Sequence, residues 1–527
     1  MIDEEVTVGH SVNHAEVAKH DLLNIGGVRH ANEDDVAGRP NVAGGGDEIR
    51  FEVVGLGGSP IPNGDLVPVI DEIGSHAMAH DPEPYESESC HDAAPYLSSQ
   101  GVSFRNSNLS RLDRRPAKPS VMSHDRLDKI LESELSDLRE AGTDKGSELV
   151  ITDVMGAGGG LGPRYRLAGL DVEFIKMNSN SYLGLSRHPA VISAEEFATR
   201  RFGAGPGAVR FISGTYQTHL DLERRLAEFH SREASIIYSS AYAAVVSTLT
   251  SLINSETAVL SDELNHNCII NGVRMTRPAA RAVYPHLDIG SLDKALAEAS
   301  GTVSRAVVIT DGVFSMRGDF ADLAAINEVV AKHDGSFPQN VVVIVDDSHG
   351  VGAYGAAGRG TEEATDGSAD VLIGTLGKAF GVNGGYVTGS EVLTTYLREK
   401  GPMYIYSNPI TAGEAAAAEM AVSVVDSLEG VELLSHLAEM TNRFETGLVD
   451  AGFETIPGPH PVTPVMVRDT ERTASLVDYL FANGVLATGL NFPVVPKGDE
   501  EIRFQVNADH TATDIDYVLS VLGEFGN

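Results

Sequence analysis

The chain has 527 residues, 42% of them hydrophobic, with 75 acidic against 39 basic side chains and a formal net charge of −36. That length holds two or three domains with cores of their own, and so large a negative charge repels phosphates at long range, which excludes nucleic acid and anionic membrane as partners. No apolar run approaches the ~18 residues that span a bilayer, the acidic opening MIDEEVTVGH does not resemble a secretory or transit leader, and two cysteines, Cys90 and Cys268, make no disulfide framework, so the expectation is a soluble cytoplasmic protein.

The acidity is spread along the chain. It leaves two readings open: adaptation to a high-salt cytoplasm, where screening removes self-repulsion, and an ordinary acidic enzyme.

Residues 1–121 are rich in Gly, Pro, Ser, Asp and His, with fragments such as AGGGDEIR and RPAKPS and one short alternating stretch, IRFEVVGL. They read as a poorly ordered extension, with a mis-assigned start and a natural one at Met122 as the alternative. Histidines 10, 14, 20, 30, 76, 80 and 91 show no compact ligand spacing, so no metal site is expected. Residues 122–170 read as a helix and an arm. In SHDRLDKILESELSDLREAG, Leu127, Ile130, Leu131, Leu135 and Leu138 recur at helical spacing behind acidic early turns. GAGGGLGPRYRL lacks the strand-to-helix context of a dinucleotide site and reads as a loop or hairpin turn.

Residues 171–405 alternate helical segments with ASIIYSS, TAVLSDE, RAVVITDG, NVVVIVDD, ADVLIGT and GGYVTGS. Short Val/Ile runs between helices predict an α/β fold whose mostly parallel sheet is covered on both faces. Residues 406–527 read as a smaller α+β domain: a long Ala-rich helical stretch, then PVTPVMVRD, a helix, GVLATGL, EIRFQVN and a last helix, with a small antiparallel sheet.

Open α/β sheets bind ligands beyond the carboxyl ends of their strands. There the chain places Ser240, Ala241 and Tyr242, then Asp262 and His266, Asp311 and Ser315, Asp346 and His349, and Thr375 and Lys378. A strand-end Asp alone is usually a cap and a lone His usually a satisfied core residue. Five strand ends agreeing is a different matter, and they describe a pyridoxal 5′-phosphate (PLP) pocket. A desolvated lysine becomes a nucleophile toward an aldehyde, a strand-end carboxylate keeps a pyridine nitrogen protonated, a helix N-terminus suits phosphate, and a histidine can stack on the ring.

NSNSYLGLSRHP, VRFISGTYQTHLDLERRLAEFH, SDELNHNCIINGVR, TDGVFSMRGD, VDDSHGVGAYGAAGRG, TLGKAFGVNGGY, YSNPI and FPVVPKGDEEIRFQVNADHT follow one another in the order and at the spacing of a known family. Over about residues 125–525 the chain resembles the α-oxoamine synthases, PLP enzymes of fold type I. The resemblance implies that Lys378 bonds the cofactor aldehyde and moves the substrate's α-proton. It implies that Asp346 partners the ring nitrogen, that His349 and Ser315 meet the ring's phenolic oxygen, and that His266 stacks on the ring. Ser240, Ala241, Tyr242 and Thr375 match phosphate-binding positions, Ser407 and Asn408 a segment that reaches the phosphate from a neighbouring subunit, and Asn180 and Arg503 the groups that hold the substrate carboxylate. His266, helped by His349, is the group implied to polarise the thioester.

The implied activity is condensation of a small amino acid with an acyl-CoA to a 2-amino-3-oxo acid, in a homodimer with its active site at the interface. VRFISGT and FPVVPKG are most similar to the glycine C-acetyltransferase branch, which uses glycine and acetyl-CoA. An 8-amino-7-oxononanoate synthase and a serine-palmitoyltransferase-like enzyme, both decarboxylating, are the alternatives within the family. Outside it stand a PLP aldolase or aminotransferase on the same fold and a non-catalytic partner subunit, which is expected to lack the lysine. Three positions depart from the family pattern: Ala241 where Gly or Cys is common, Val245 where Asn is common, and Arg317 where an acid is usual, a change expected to alter the lining of the substrate mouth.

Overall fold

The structure is a computed structural model that describes residues 125–140, 144, 146–492 and 495–525. The expectations for residues 1–121, including the histidines and the IRFEVVGL strand, lie outside the described residues.

The chain opens with helix α1 (Asp125–Glu140), followed by strands β1 (Ile151–Met155), β2 (Arg164–Leu167) and β3 (Glu173–Lys176). Helices α2 (Pro189–Phe202) and α3 (Gln217–Phe229) lead to β4 (Ala234–Tyr238), α4 (Ala241–Leu252), β5 (Thr257–Asp262), α5 (Asn267–Arg274), β6 (Ala280–Tyr284) and α6 (Ile289–Ala299). Then come β7 (Arg305–Asp311), α7 (Leu323–His333), β8 (Val341–Asp346), α8 (Thr361–Thr365), β9 (Val371–Thr375) and β10 (Gly385–Gly389). The remainder is helical through α9 (Glu391–Lys400), α10 (Pro402–Ile405), α11 (Ala412–Val425) and α12 (Leu428–Asp450). It closes with β11 (Val462–Met466), α13 (Thr470–Ala482), β12 (Val485–Leu486), β13 (Thr488–Leu490), β14 (Glu501–Gln505) and α14 (Ala512–Phe525).

Seven strands form the main sheet in the order β4-β10-β9-β8-β7-β5-β6. β5 to β9 are parallel to their neighbours, and β10 runs antiparallel to both β9 and β4. Alternate residues serve opposite faces: Val307 and Ile309 pack with α4 and α5 residues such as Leu249 and Ile269, while Ala306 and Val308 pack with Leu292, Leu296 and Ile326 of α6 and α7. Two buried faces explain why these strands are continuous apolar runs instead of alternating ones. From β5 the chain crosses to β6 on one side and then works through β7, β8 and β9 on the other. The strand order thus reverses between β5 and β7, the kind of crevice where α/β sheets take ligands.

Hydrogen-bonding side chains begin most helices. Ser240 caps α4, Asp288 caps α6 and Asp322 caps α7, each satisfying an N–H that the helix itself cannot. The Ala-rich stretch is two helices. Thr411 and Glu414 form a reciprocal capping box at the start of α11, and Ser427 accepts from Gly430 N to begin α12 after a break at Asp426.

GAGGGLGPRYRL closes a hairpin, with β1 and β2 antiparallel and a bridge between Gly158 and Leu161. GVLATGL was expected to enter the small antiparallel sheet whole, and it does not. Val485 and Leu486 pair in parallel with β3, whereas Thr488–Leu490 joins β14 and β11. The reason lies in the side chains: Leu486 completes a small core with Leu167 and Phe174. The main core runs from Tyr182 and Phe229 through α11 and α12 to Val465, Phe504 and Ile515, so the C-terminal sheet is packed directly against the face that carries the site.

Helix α1 forms as its spacing predicts, but it has no buried residue. Leu127, Ile130, Leu131, Leu135 and Leu138 are 44–55% exposed, an apolar stripe turned to solvent. Among the described residues no helix is long and apolar enough to cross a membrane.

Candidate active site

Asp311 and Asp346 end neighbouring parallel strands and stand opposite each other in register. Both are buried. Burial, reinforced by the negative Asp346, holds the Asp311 carboxyl well above the usual carboxylate range, against the His266 N–H that donates to its Oδ2 at 2.9 Å. Asp346 is fixed on both sides: Oδ1 accepts from Ser348 Oγ at 2.6 Å and from Ser348 N at 3.2 Å, and Oδ2 accepts from Cys268 Sγ at 3.4 Å. Its orientation is set before any ligand arrives.

Lys378 follows β9 by three residues, in the connection that turns back into β10. Gly381 N donates to Lys378 O, Val382 N to Leu376 O and Leu376 N to Gly384 O, so the turn is tied at both ends. Desolvation lowers the Lys378 amine's pKa, while the attraction of Asp346 and Asp311 opposes that shift.

His266 is the N-cap of α5, its Nδ1 accepting from Cys268 N at 3.2 Å. Desolvation lowers its pKa, opposed by Asp346 and aided by Lys378. His349 is buried, and its Nδ1 meets the Tyr182 hydroxyl at 2.7 Å. Burial, with Lys378 and His460 adding to it, holds His349 well below its ordinary value and therefore neutral.

The start of α4 completes the cavity. Ser240 Oγ accepts from Ala243 N at 3.1 Å, and the N–H groups of Ala241 and Tyr242 have no partner among the described residues. Those free donors and the helix dipole make an anion seat. Gly385 allows it, because a Cβ there would stand 2.2 Å from Ala241 N. The resulting cavity, about 300 Å³, is lined by Ser240, Ala241, Tyr242, His266, Cys268, Asp311, Val313, Ser315, Asp346, Ser348, His349, Thr375 and Lys378.

These residues fit PLP. Free N–H donors suit the phosphate, a pre-oriented carboxylate suits a protonated ring nitrogen, and an amine of lowered pKa lines the same cavity. Ten of the residues singled out from the sequence meet in this cavity, and Asp262 does not line it. Asn180 and Arg503 lie beside it: Arg503 Nη1 donates to Ser315 O at 3.0 Å, and Asn180 lies 3.3 Å from the Gln505 amide. With that amide turned to satisfy its neighbours, its oxygen accepts from Arg503 Nε at 2.6 Å and Nη2 at 2.7 Å. Ser407 and Asn408 do not line the cavity; Ser407 Oγ donates to Asn408 O at 3.3 Å on the turn after α10. Arg317, expected at the substrate mouth, is engaged by Asp319 at 2.8 Å, and that carboxylate oxygen also meets His286 Nε2 at 3.2 Å.

Sequence reasoning assigned no role to Tyr182, Cys268 or Ser348. Cys268 stands one position beyond the helix-opening residue after His266, and Ser348 lies between two assigned residues, so their spacing was a usable signal. Tyr182 reaches His349 across 167 positions, and nothing local marks it.

The sequence profile of the aminotransferase class I and II family matches residues 172–522. The mitochondrial 2-amino-3-ketobutyrate coenzyme A ligase of Bos taurus is 39% identical over 421 residues, covering 79% of this chain and 96% of its own. The 8-amino-7-oxononanoate synthase of Thermosipho melanesiensis is also 39% identical, over 354 residues, 67% of this chain and 88% of its own. A high-resolution structure of SPT with PLP superposes with a TM-score of 0.69 at 25% identity, covering 76% of this chain and 98% of that one. The chain therefore belongs to the aminotransferase class I and II family and, within it, to the α-oxoamine synthases, PLP-dependent acyltransferases.

Proposed function

We propose that this enzyme joins glycine to acetyl-CoA, forming 2-amino-3-oxobutanoate and releasing CoA. The observation that carries the reading is the convergence of Lys378, Asp346, His266 and His349 on one cavity, in a chain that matches 96% of a 2-amino-3-ketobutyrate coenzyme A ligase. When bound, PLP supplies an electron sink for negative charge developing at the amino acid's α-carbon.

In this reading the chain's own groups do the rest. The N–H groups of Ala241 and Tyr242, with the hydroxyls of Ser240 and Thr375, hold the phosphate. Asp346 would accept a hydrogen bond from the protonated ring nitrogen, His266 would stack on the ring, and His349 with Ser315 would meet the phenolic oxygen. Arg503 and Asn180 grip the substrate carboxylate, and an Arg fork suits that anion. Lys378 Nζ would be the group that holds the cofactor through its aldehyde and the base that takes the substrate's α-proton. That carbon attacks the thioester carbonyl, whose oxygen His266 meets, and the C–S bond breaks as CoA leaves. Large domain 171–405 carries the cofactor, and domain 406–527 brings Arg503.

The same reading includes a cytoplasmic homodimer. Two features support the dimer: Ser407 and Asn408 sit on a turn away from their own chain's cavity, and Leu127, Ile130, Leu131 and Leu135 of α1 form an apolar stripe that is 45–55% exposed. A second reading, alanine with a pimeloyl thioester, is favoured by the equal identity to the Thermosipho melanesiensis synthase. Thiol release measured for glycine, alanine and serine against acetyl, pimeloyl and palmitoyl donors separates them. The glycine and acetyl-CoA pair is expected to have the highest kcat/KM. A preference of ~10-fold or more for another pair, about 1.4 kcal/mol of transition-state discrimination, would overturn it.

A further inference from the structure

Around the Asp346 carboxylate the same cavity assembles a second kind of site. His266 Nδ1 and Cys268 Sγ are 2.9 Å apart, Cys268 Sγ and Asp346 Oδ2 are 3.4 Å apart, and the three ligand atoms all lie within 4.8 Å of one another. An imidazole nitrogen, a thiol sulfur and a carboxylate oxygen are the ligand types zinc takes, at about 2.0–2.3 Å, so atoms sharing one tetrahedral ion stand roughly 3.3–3.8 Å from each other. The His–Cys and Cys–Asp pairs need shifts of a few tenths of an ångström, and the His–Asp pair a shift of at most about 1.5 Å. All three residues line the cavity, so an ion has a path in and a fourth position facing open space. Charge is compatible with it: Asp346 is a buried carboxylate beside the buried Asp311.

We propose that the PLP-free chain binds one Zn²⁺ through His266, Cys268 and Asp346, and that zinc and PLP exclude each other. On binding, the Cys268 S–H bond breaks, its proton passes to solvent and a Zn–S bond forms, with no change of oxidation state. The exclusion rests on the proposed seating of the ring nitrogen at Asp346; the zinc ligation does not.

The test uses the full chain stripped of PLP with hydroxylamine and dialysed against chelator, then titrated with ZnCl₂ or CoCl₂. One Zn²⁺ per chain is expected to leave on addition of PLP, and Co²⁺ is expected to give a thiolate charge-transfer band. Cys268→Ser should lose that band and weaken zinc ~10-fold or more while still developing the visible absorbance of bound PLP, which shows that it folds. Cys90→Ser should change neither, which separates this site from the chain's other cysteine. Zinc held equally by Cys268→Ser, or zinc and PLP bound together, overturns the proposal. Cys268-dependent zinc in a chain that never takes up PLP supports the ligand set and defeats the cofactor seating instead.

Discussion

Replacing Tyr182 by Phe deletes one oxygen, and that oxygen selects which nitrogen of His349 carries hydrogen. His349 is kept neutral, so one ring nitrogen donates and the other accepts. Tyr182 is 0% exposed, burial keeps its hydroxyl protonated, and His349 Nδ1 at 2.7 Å is its hydrogen-bond partner. The phenol therefore donates to Nδ1, which leaves Nε2–H as the donor that His349 offers the cavity. Tyr182→Phe strands a buried acceptor at a cost of about 1–3 kcal/mol and frees the ring to adopt the other tautomer. The unfolding free energy from urea titration should fall by that amount at unchanged slope, with the midpoint lowered in proportion. The Kd for PLP, read from its visible band, should rise by about 5- to 150-fold, the equivalent of the same energy. Made in a His349→Ala background, the substitution should cost less than ~0.5 kcal/mol more. An unchanged Kd, or a full loss in that background, refutes the tautomer argument.

Glu223, on α3, accepts from Arg210 at 3.1 and 3.3 Å, from Arg398 at 2.9 Å and from Ile237 N at 3.1 Å. Glu223→Gln leaves the buried Arg210 uncompensated and should cost about 3–5 kcal/mol in urea unfolding, and Arg210→Met with Glu223→Leu should recover only part of it, because Arg398 and Ile237 N also lose their acceptor; a loss under ~1 kcal/mol for the single variant counts against the pair. Burial raises the Asp347 carboxyl to about 7, despite the Thr361 N and Oγ1 that donate to it at 2.7 and 2.6 Å. The folded chain then binds more protons than the unfolded one between about pH 4 and 7, so stability falls as pH rises through that window, by up to ~4 kcal/mol. Asp347→Asn should flatten that slope, and an identical pH profile for the two proteins would contradict the assignment. Gly385→Ala sets a methyl 2.2 Å from Ala241 N; PLP should bind ~10-fold weaker or worse with the far-UV spectrum intact, and native affinity would show that the anion seat is elsewhere. With a net charge of −36, the urea midpoint should climb with added KCl, and a flat response at low salt removes the high-salt reading.

Strand-end chemistry was legible because parallel strands buried on both faces write themselves as Val/Ile runs, and the residue after each run is fixed by where the run stops. Asp346, His266 and Lys378 could all be placed that way. Residues that reach the site from another sheet could not. Arg503 and Asn180 entered through a family likeness, and Tyr182 meets His349 only through the packing of two distant segments. The two-way split of GVLATGL was equally hidden, because Val485 and Thr488 differ in partner and not in strand propensity. The exposed stripe of α1 shows the opposite limit: its period announces a helix, and periodicity says nothing about what covers it.

The reversed strand β10 has a mechanical meaning. Because β9 and β10 are neighbours running in opposite directions, the lysine between them hangs on a short hairpin link whose two feet stand in one plate, beside the strand that ends in Asp346. Lys378 and Asp346 are consequently carried by one seven-stranded sheet. Arg503 belongs to a different, three-stranded plate and touches the cavity wall through Ser315. The proposed grip on the substrate and the proposed reacting groups therefore stand on separate sheets that meet where Arg503 donates to Ser315 O.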